Sequence, residues 1–265
     1  MSSSENPLET PTGRTATFGL IARLADNKYI LGRRYAEWCS SAPTLESSVA
    51  AAAMAQDELG HARALYPVLR SLASEPSPEL DPETRAHFHN LSFLDRDFGG
   101  WPDFIAANYL IDTALTVLFE AGEHSSFEPL AGRSRKVLQE ERTHFLHGQA
   151  WVRRLANAGD EAKRALEGSL RQAWAETLCW FGPPGEGDAL FELGVLDASP
   201  DALRERFLAR VGPTILAAKL DLPVRMLKRG QRWELSESLP WEVWDAETYR
   251  FPSPAELFSK TAPSY

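Results

Sequence analysis

The segment "MAQDELGHARAL" at residues 54–65 places a glutamate and a histidine three positions apart in a run of good helix formers. Glu58 and His61 therefore lie side by side on one face of a helix. Met54 and Leu65 share that face, so the pair is expected in the protein interior. Buried charged groups are costly unless they are paired or bind a metal ion. The other helices should therefore supply a partner.

A second pair with the same spacing occurs in "QEERTHFLHG" at residues 139–148. Glu141 and His144 lie on the apolar stripe of their helix, together with Val137 and Trp151. A carboxylate and an imidazole one helical turn apart can bind the same cation. Two such pairs on facing helices, with one carboxylate from each of two further helices, form the site of ferritin-like di-iron proteins.

Proline, glycine and serine breaks divide the chain into helices. The predicted helices span Ala16 to Ser40, Thr44 (as N-cap) to Ala73, Pro102 to His124, Phe127 to Ala158, Asp160 to Trp180, and Ser199 (as N-cap) to Lys219. No strand-rich region is expected. The fold class is therefore all-α, with a ferritin-like four-helix bundle core and additional C-terminal helices. Residues 1–16 are predicted to form a flexible arm, 17–228 the helical domain, and 229–265 an extended tail packed on the bundle or on a partner.

The third helix supplies one further acid on an apolar face. Asp112 shares that face with Leu115 and Phe119, while Glu123 is a weaker candidate near the helix end. The first helix does not supply the other acid. Its two acids, Asp26 and Glu37, point away from the stripe of Leu24, Leu31 and Tyr35, and that stripe contains Lys28 instead.

Composition excludes several classes of function. A net charge of −9 argues against non-specific nucleic-acid binding. The two cysteines, Cys39 and Cys179, cannot form a disulfide framework, so a reducing cytoplasmic location is expected. No secretory signal is visible, and no apolar run approaches the roughly 20 residues that span a bilayer. We therefore expect no membrane segment.

Three segments, in order and spacing, resemble the oxygenase subunits of the bacterial phenylacetyl-CoA epoxidase family of aerobic phenylacetate degradation. They are "VAAAAMAQDELGHARALY" (49–66), "WPDFIAANYLIDTAL" (101–115) and "LQEERTHFLHG" (138–148). The segment "LADNKYILGRRYAEWCSSAPTLE" (24–46) is similar to the C-type subunit. Two others, "AWAETLCWFGPP" (173–184) and "DALRERFLARVGPTI" (201–215), are closer to the catalytic A-type subunit.

This resemblance implies a ferritin-like fold and a specific chemistry. The A-type subunit is a di-iron oxygenase that uses O₂ to epoxidise the ring of an aromatic acyl-CoA, with electrons from a reductase carrying an iron–sulfur centre and a flavin. The C-type subunit pairs with it and has lost the metal ligands. By position, the A-type ligands fall on Glu58, His61, Asp112, Glu141 and His144, and the helix-1 glutamate falls on Lys28. The helix-wheel argument selects the same residue.

Lys28 leaves two functions open. In the first, the five ligands hold one or two iron ions, and the chain is a di-iron-type oxygenase component acting on a phenylacetyl-CoA-like substrate. In the second, the Lys28 ammonium modifies the site by replacing the metal and pairing with the carboxylates, and the chain is a non-catalytic structural subunit of the same oxygenase. Either way the expected partners are a related oxygenase subunit, in a homo- or hetero-dimer, and the reductase. A ferritin-like iron-storage protein is a further class. The CoA-binding residues are not identified by the sequence.

Overall fold

Two antiparallel helical hairpins form the core of the computed structural model, which describes residues 10–252 except 74, 76, 78, 79, 86, 186, 187 and 228–231. The first hairpin joins α1 (Pro11–Ala36) to α2 (Leu45–Leu72). The second joins a continuous helix, Trp101–Ala121, to α5 (Glu128–Ala156). Their apolar faces share one buried core. The prediction of an all-α, ferritin-like fold is confirmed.

The ends of the first hairpin follow from capping. Thr44 caps α2 as predicted, because its Oγ1 accepts a hydrogen bond from the Ser47 amide at 3.2 Å. The predicted start of α1 at Ala16 is wrong by more than a turn. Thr10 caps the helix by accepting from the Gly13 amide at 3.1 Å, and Pro11 occupies the first turn, so helix replaces part of the expected arm.

The third long helix is not uniform. It consists of α3 (Trp101–Ala106), a π-helical turn (Ala107–Asp112) and α4 (Thr113–Ala121). It is long and apolar enough to span a bilayer, but 94% of its most apolar window is buried inside the bundle, as for a core helix. The sequence pattern did not predict the π turn, which ends at Asp112.

The later helices cover one side of the bundle. They are α6 (Asp160–Cys179), the short α7 (Ala189–Glu192) and α8 (Pro200–Ala217). A 3₁₀ turn, Ser92–Leu94, lies in the long connection between the two hairpins. The structure therefore has the predicted helices, with ends within a few residues of expectation except at α1.

The prediction that the chain has no strand-rich region agrees with the described residues, which contain one small two-stranded sheet. An antiparallel β-hairpin follows α8, with β1 (Val224–Leu227) paired to β2 (Arg232–Leu235). Trp233 of β2 packs directly on Gly212, where no Cβ would fit. Residues 1–9 and 253–265 lie outside the described part, so the division into arm, helical domain and tail stays a prediction.

Candidate functional site

The centre of the bundle holds a charged cluster whose members come from each of the four long helices. Lys28 Nζ on α1 lies 2.6 Å from Glu141 Oε1, 2.7 Å from Asp112 Oδ1 and 2.8 Å from Glu58 Oε2. None of these four side chains is more than 1% exposed. The lysine therefore points inward, as the helix wheel predicted, and contacts all three carboxylates.

Gly32 explains how α1 comes close enough to place Lys28 there. A Cβ at Gly32 would lie 2.9 Å from Leu59 Cγ and 3.0 Å from Glu58 Cβ. Any larger residue at this position would separate α1 from α2 at the level of Glu58. Gly32 lies about one helical turn beyond Lys28, so the close approach of the two helices fixes the ammonium beside its first carboxylate.

Both predicted histidines line the cluster with their Nδ1 atoms. His144 Nδ1 lies 3.1 Å from Asp112 Oδ2 and 3.2 Å from Glu58 Oε1. His61 Nδ1 lies 3.5 Å from Glu141 Oε1, and it has no hydrogen-bond partner within the described residues. The structure thus brings together all six residues selected from the sequence: Lys28, Glu58, His61, Asp112, Glu141 and His144.

Two further acids contact the Nε2 atoms of the histidines, on the side away from the cluster. The sequence analysis did not identify these two acids. His144 Nε2 lies 3.2 Å from Asp57 Oδ2, and His61 Nε2 lies 2.6 Å from Glu140 Oε2. Each acid comes from the helix opposite its histidine, so the two pairs cross between α2 and α5. The signal was present in the sequence, because an acid directly precedes Glu58 and Glu141 in both motifs. A cleft of about 230 Å³ lies outside His61 and Glu140.

The π turn positions the third carboxylate. The Asn108 side chain in this turn donates to the His144 carbonyl at 3.2 Å, and its Oδ1 accepts from His147 Nδ1 at 3.0 Å. Gly148 permits this contact, since a Cβ there would lie 2.8 Å from Asn108 Oδ1. Asp112 ends the π turn and faces Lys28. π-helical turns are frequent at functional sites.

The ionisation of the cluster follows from burial and mutual contact. Burial by itself would lower the pKa of Lys28, but the charges of Asp112, Glu141 and Glu58 outweigh it and hold that pKa well above its usual value. Burial likewise opposes ionisation of Glu58, yet the Lys28 charge and the hydrogen bond from His144 hold its pKa well below the usual range.

Two further members of the cluster also have shifted pKa values. Burial and the neighbouring Asp112 raise the pKa of Glu141 to about 7. Burial opposes protonation of His144, but its hydrogen bonds to Asp112 and Glu58 raise its pKa to about 12. Two groups whose pKa values favour the cation, Lys28 and His144, therefore lie among the three carboxylates of the cluster. The protein itself thus supplies positive charge at the centre of the bundle.

The donor set differs from the di-iron centre that the resemblance implies. Ligand atoms of Glu58, Asp112, Glu141 and His144 lie within 4.8 Å of one another, so by themselves they could hold a metal ion. The Lys28 ammonium, however, lies among the same oxygens and adds a positive charge where metal ions would be. The residues present do not fit a di-iron centre while Lys28 keeps this position.

The acids that the sequence analysis placed off the stripe lie elsewhere. Asp26 is buried and accepts hydrogen bonds from the Arg85 guanidinium and from the Tyr66 hydroxyl. Glu37 pairs with Arg34 at 2.8 Å near the surface. Glu123 lies beyond the end of α4 and is not part of the cluster. Asp112 is thus the acid that the third helix contributes.

Comparison with known proteins identifies the family of this chain. A family model described as phenylacetic acid catabolic protein matches residues 1–239. The C-type subunit of the Escherichia coli 1,2-phenylacetyl-CoA epoxidase is 32% identical over 203 residues, which are 76% of this chain and 82% of that relative. The A-type subunit of the same enzyme is 25% identical over 191 residues, 70% of this chain and 62% of the relative. The chain belongs to the phenylacetic acid catabolic protein family, and the predicted resemblance is confirmed.

Proposed function

We propose that this member of the family is a non-catalytic, structural subunit of a multicomponent oxygenase for an aromatic acyl-CoA. The observation that carries the proposal is the position of Lys28. Its ammonium lies within 2.8 Å of an oxygen of Glu58, Asp112 and Glu141, on three different helices, and is fully buried. A cation held by the protein itself takes the place that a metal ion has in the catalytic relatives.

The chemistry of an ammonium suits this role. It has three hydrogen-bond donors, and Lys28 directs one toward each of three carboxylates. Charge-assisted hydrogen bonds of this kind are short and strong. They join α1, α2, the π turn and α5 as a shared metal would, but an ammonium has no vacant coordination position for O₂. The lysine therefore preserves the bundle geometry and removes the redox centre.

The comparisons support this proposal. Identity is 32% to the C-type subunit of the E. coli epoxidase and 25% to its A-type subunit. We infer that the chain forms a dimer with a related oxygenase subunit, which in turn takes electrons from an iron–sulfur and flavin reductase. We also place it in the cytoplasm, since Cys39 and Cys179 are free thiols.

A second candidate function is the oxygenase itself. Two observations favour it: the four-residue donor cluster, and the buried His61 Nδ1 that lacks a partner among the described residues. In this case Lys28 would leave the cluster, and Glu58, His61, Asp112, Glu141 and His144 would hold iron. Bound iron would supply O₂ activation. Asp57 and Glu140 would fix the orientation of the two imidazoles.

Metal analysis of the purified chain separates the two functions. Protein produced with ample iron should contain none if it is the structural subunit, and about two irons per chain if it is the oxygenase. Lys28→Glu restores the carboxylate of the catalytic relatives, so it should raise iron or manganese binding. Lys28→Met, which removes the ammonium without adding a ligand, is the matched control. Stoichiometric iron in the unaltered chain would overturn the proposal.

A further inference from the structure

A second polar feature lies apart from the Lys28 cluster and shares no residue with it. A cleft of about 560 Å³ opens between the first half of α1, residues 183–185 and 188–190, and the segment at residues 246–249. This volume is in the range of small-molecule sites. Arg23 of α1 lines the cleft and also its narrow inner extension.

The guanidinium of Arg23 differs from those of the other buried arginines in the described part of the chain. Arg23 is only 8% exposed. Among the described residues, no carboxylate lies within ion-pair distance of its guanidinium, and its Nε–H has no hydrogen-bond acceptor. The other buried arginines are paired, Arg85 with Asp26 and Arg204 with Asp201. Because a buried charge without a close carboxylate is costly, Arg23 differs from both: only Tyr249 and the more distant charge of Asp188 favour its charged form.

An aromatic ring holds the guanidinium in place. Arg23 Cζ lies 3.5 Å from the ring centroid of Tyr249, a cation–π contact that favours the charged guanidinium. Tyr249 has a φ of 55°, in the left-handed region that side chains other than glycine rarely adopt. Strained backbone of this kind clusters at ligand sites.

The rest of the cleft indicates what kind of anion would fit. Its walls are largely apolar and include Pro183, Pro184, Leu190 and Pro200. Trp180 lines the inner extension, and its buried Nε1–H has no acceptor among the described residues. The cleft thus contains a buried guanidinium, and the narrow pocket beside it contains an indole N–H without an acceptor among the described residues.

Two acids restrict the charge of the ligand. Asp188 lines the cleft, but its Oδ1 accepts from the Phe191 amide at 2.9 Å as the cap of α7. Glu247 lies at the opening. Their charges would repel a polyanion such as a nucleoside triphosphate, while a single negative charge could still pair with Arg23.

We propose that this cleft binds a monocarboxylate with an apolar body. The carboxylate accepts hydrogen bonds from the Arg23 guanidinium, and the apolar part lies against the prolines and Tyr249. This inference does not depend on the proposed structural role, since the cleft and the Lys28 cluster have no residue in common.

Titration of the full chain with benzoate, followed by calorimetry and ligand-observed NMR, tests the proposal. We expect saturable 1:1 binding with a Kd on the order of 1 mM, as suits a ligand of this size. Benzamide, which has the same shape without the charge, should bind at least about tenfold more weakly. Pyrophosphate should not compete.

Single substitutions test whether benzoate binds in the cleft beside Arg23. Arg23→Met should weaken benzoate binding by at least about tenfold, and Glu247→Gln should strengthen it about twofold by removing a like charge. Arg63→Met, at an exposed arginine of α2, is the matched control and should leave binding unchanged. If Arg23→Met does not fold, Ala189→Phe, which fills the cleft from its partly exposed rim, should abolish binding. Absence of saturation, equal binding of benzamide, or unchanged binding by Arg23→Met or Ala189→Phe would overturn the proposal.

Discussion

The ammonium of Lys28 lies 2.6 Å from Oε1 of Glu141, and neither side chain is more than 1% exposed. The two residues come from the first and last of the four long helices. A contact of this kind is worth little at the surface, but in the interior each charge depends on the other. Lys28 is therefore an internal cation of the bundle, and the stability of the bundle should depend on Lys28.

Lys28→Met tests this dependence. The variant leaves three carboxylates buried without their cation, so the free energy of unfolding should fall by about 3–5 kcal/mol. Urea denaturation at neutral pH, with chelator present to exclude adventitious metal, measures the change.

Lys163→Met is the control for that experiment. Lys163 lies 3.9 Å from Glu167 in an i,i+4 pair and is 30% exposed. Its loss should change the free energy of unfolding by about 0.5 kcal/mol or less. Equal effects of the two substitutions would show that Lys28 is not a structural cation.

His147 should make the protein sensitive to mild acid. Burial, and then the charge of His144, lower the pKa of His147 to about 4. At His147 the unfolded chain therefore binds more protons than the folded one between pH 6.5 and 4, and the contribution of this residue to stability should be lost as pH decreases through this window, by at most about 1.4 kcal/mol per pH unit.

Urea midpoints measured from pH 7.5 to pH 4 would detect this loss. His147→Gln should make the decline shallower, because it removes the titrating group. His124→Gln, at an exposed position after α4, should keep the decline of the unaltered protein. A slope that is the same in all three proteins would contradict the assignment.

Gly148→Ala should destabilise the bundle by about 1–3 kcal/mol. The added Cβ would lie 2.8 Å from Asn108 Oδ1 and 3.2 Å from Tyr109 Cα, so α5 would have to move away from the π turn. Gly168→Ala on α6 should instead stabilise the protein by up to about 1 kcal/mol, because alanine favours a helix and nothing lies within 4 Å of the added Cβ. Paired thermal and urea unfolding measures both, and a gain in Gly148→Ala would refute the packing argument.

Glu176→Gln should release the end of the described tail. Oxygens of Glu176 accept from the amides of Ser92 and Phe251 at 2.8 and 2.9 Å, and from the Ser92 hydroxyl at 2.8 Å. A carboxamide replaces one acceptor by a donor, which opposes these groups. Amide hydrogen exchange at Phe251 should accelerate at least about tenfold. Glu161→Gln, in the first turn of the same helix, is the control, and unchanged protection in Glu176→Gln would refute the role.

Much of the site could be predicted because helical periodicity maps positions in the chain onto faces. The two E-x-x-H motifs, Asp112 and Lys28 are all recognisable as polar groups on apolar stripes, and all of them meet in the bundle centre. The N-caps of α2 and α8 could also be predicted from the sequence. Thr44 and Ser199 accept the backbone hydrogen bonds that these residue types favour at an N-cap.

Other features depended on contacts between distant segments. The π turn around Asn108 has no local sequence signature, and it forms where α5 packs closely at Gly148. The crossed pairs, Asp57 with His144 and Glu140 with His61, needed the antiparallel register of α2 against α5. The β-hairpin was missed because its strands are short and pack on α8.

The sequence by itself determined the helices, their buried faces and the six residues of the cluster, because those depend on the spacing of residues along a single helix. Only the tertiary structure decided what Lys28 does. A lysine on an apolar stripe can extend its flexible stem toward solvent or inward. Lys28 points inward because the negative charges of Glu58, Asp112 and Glu141 together attract its ammonium. These three carboxylates come from other segments of the chain, and they surround Lys28 only after the helices have packed.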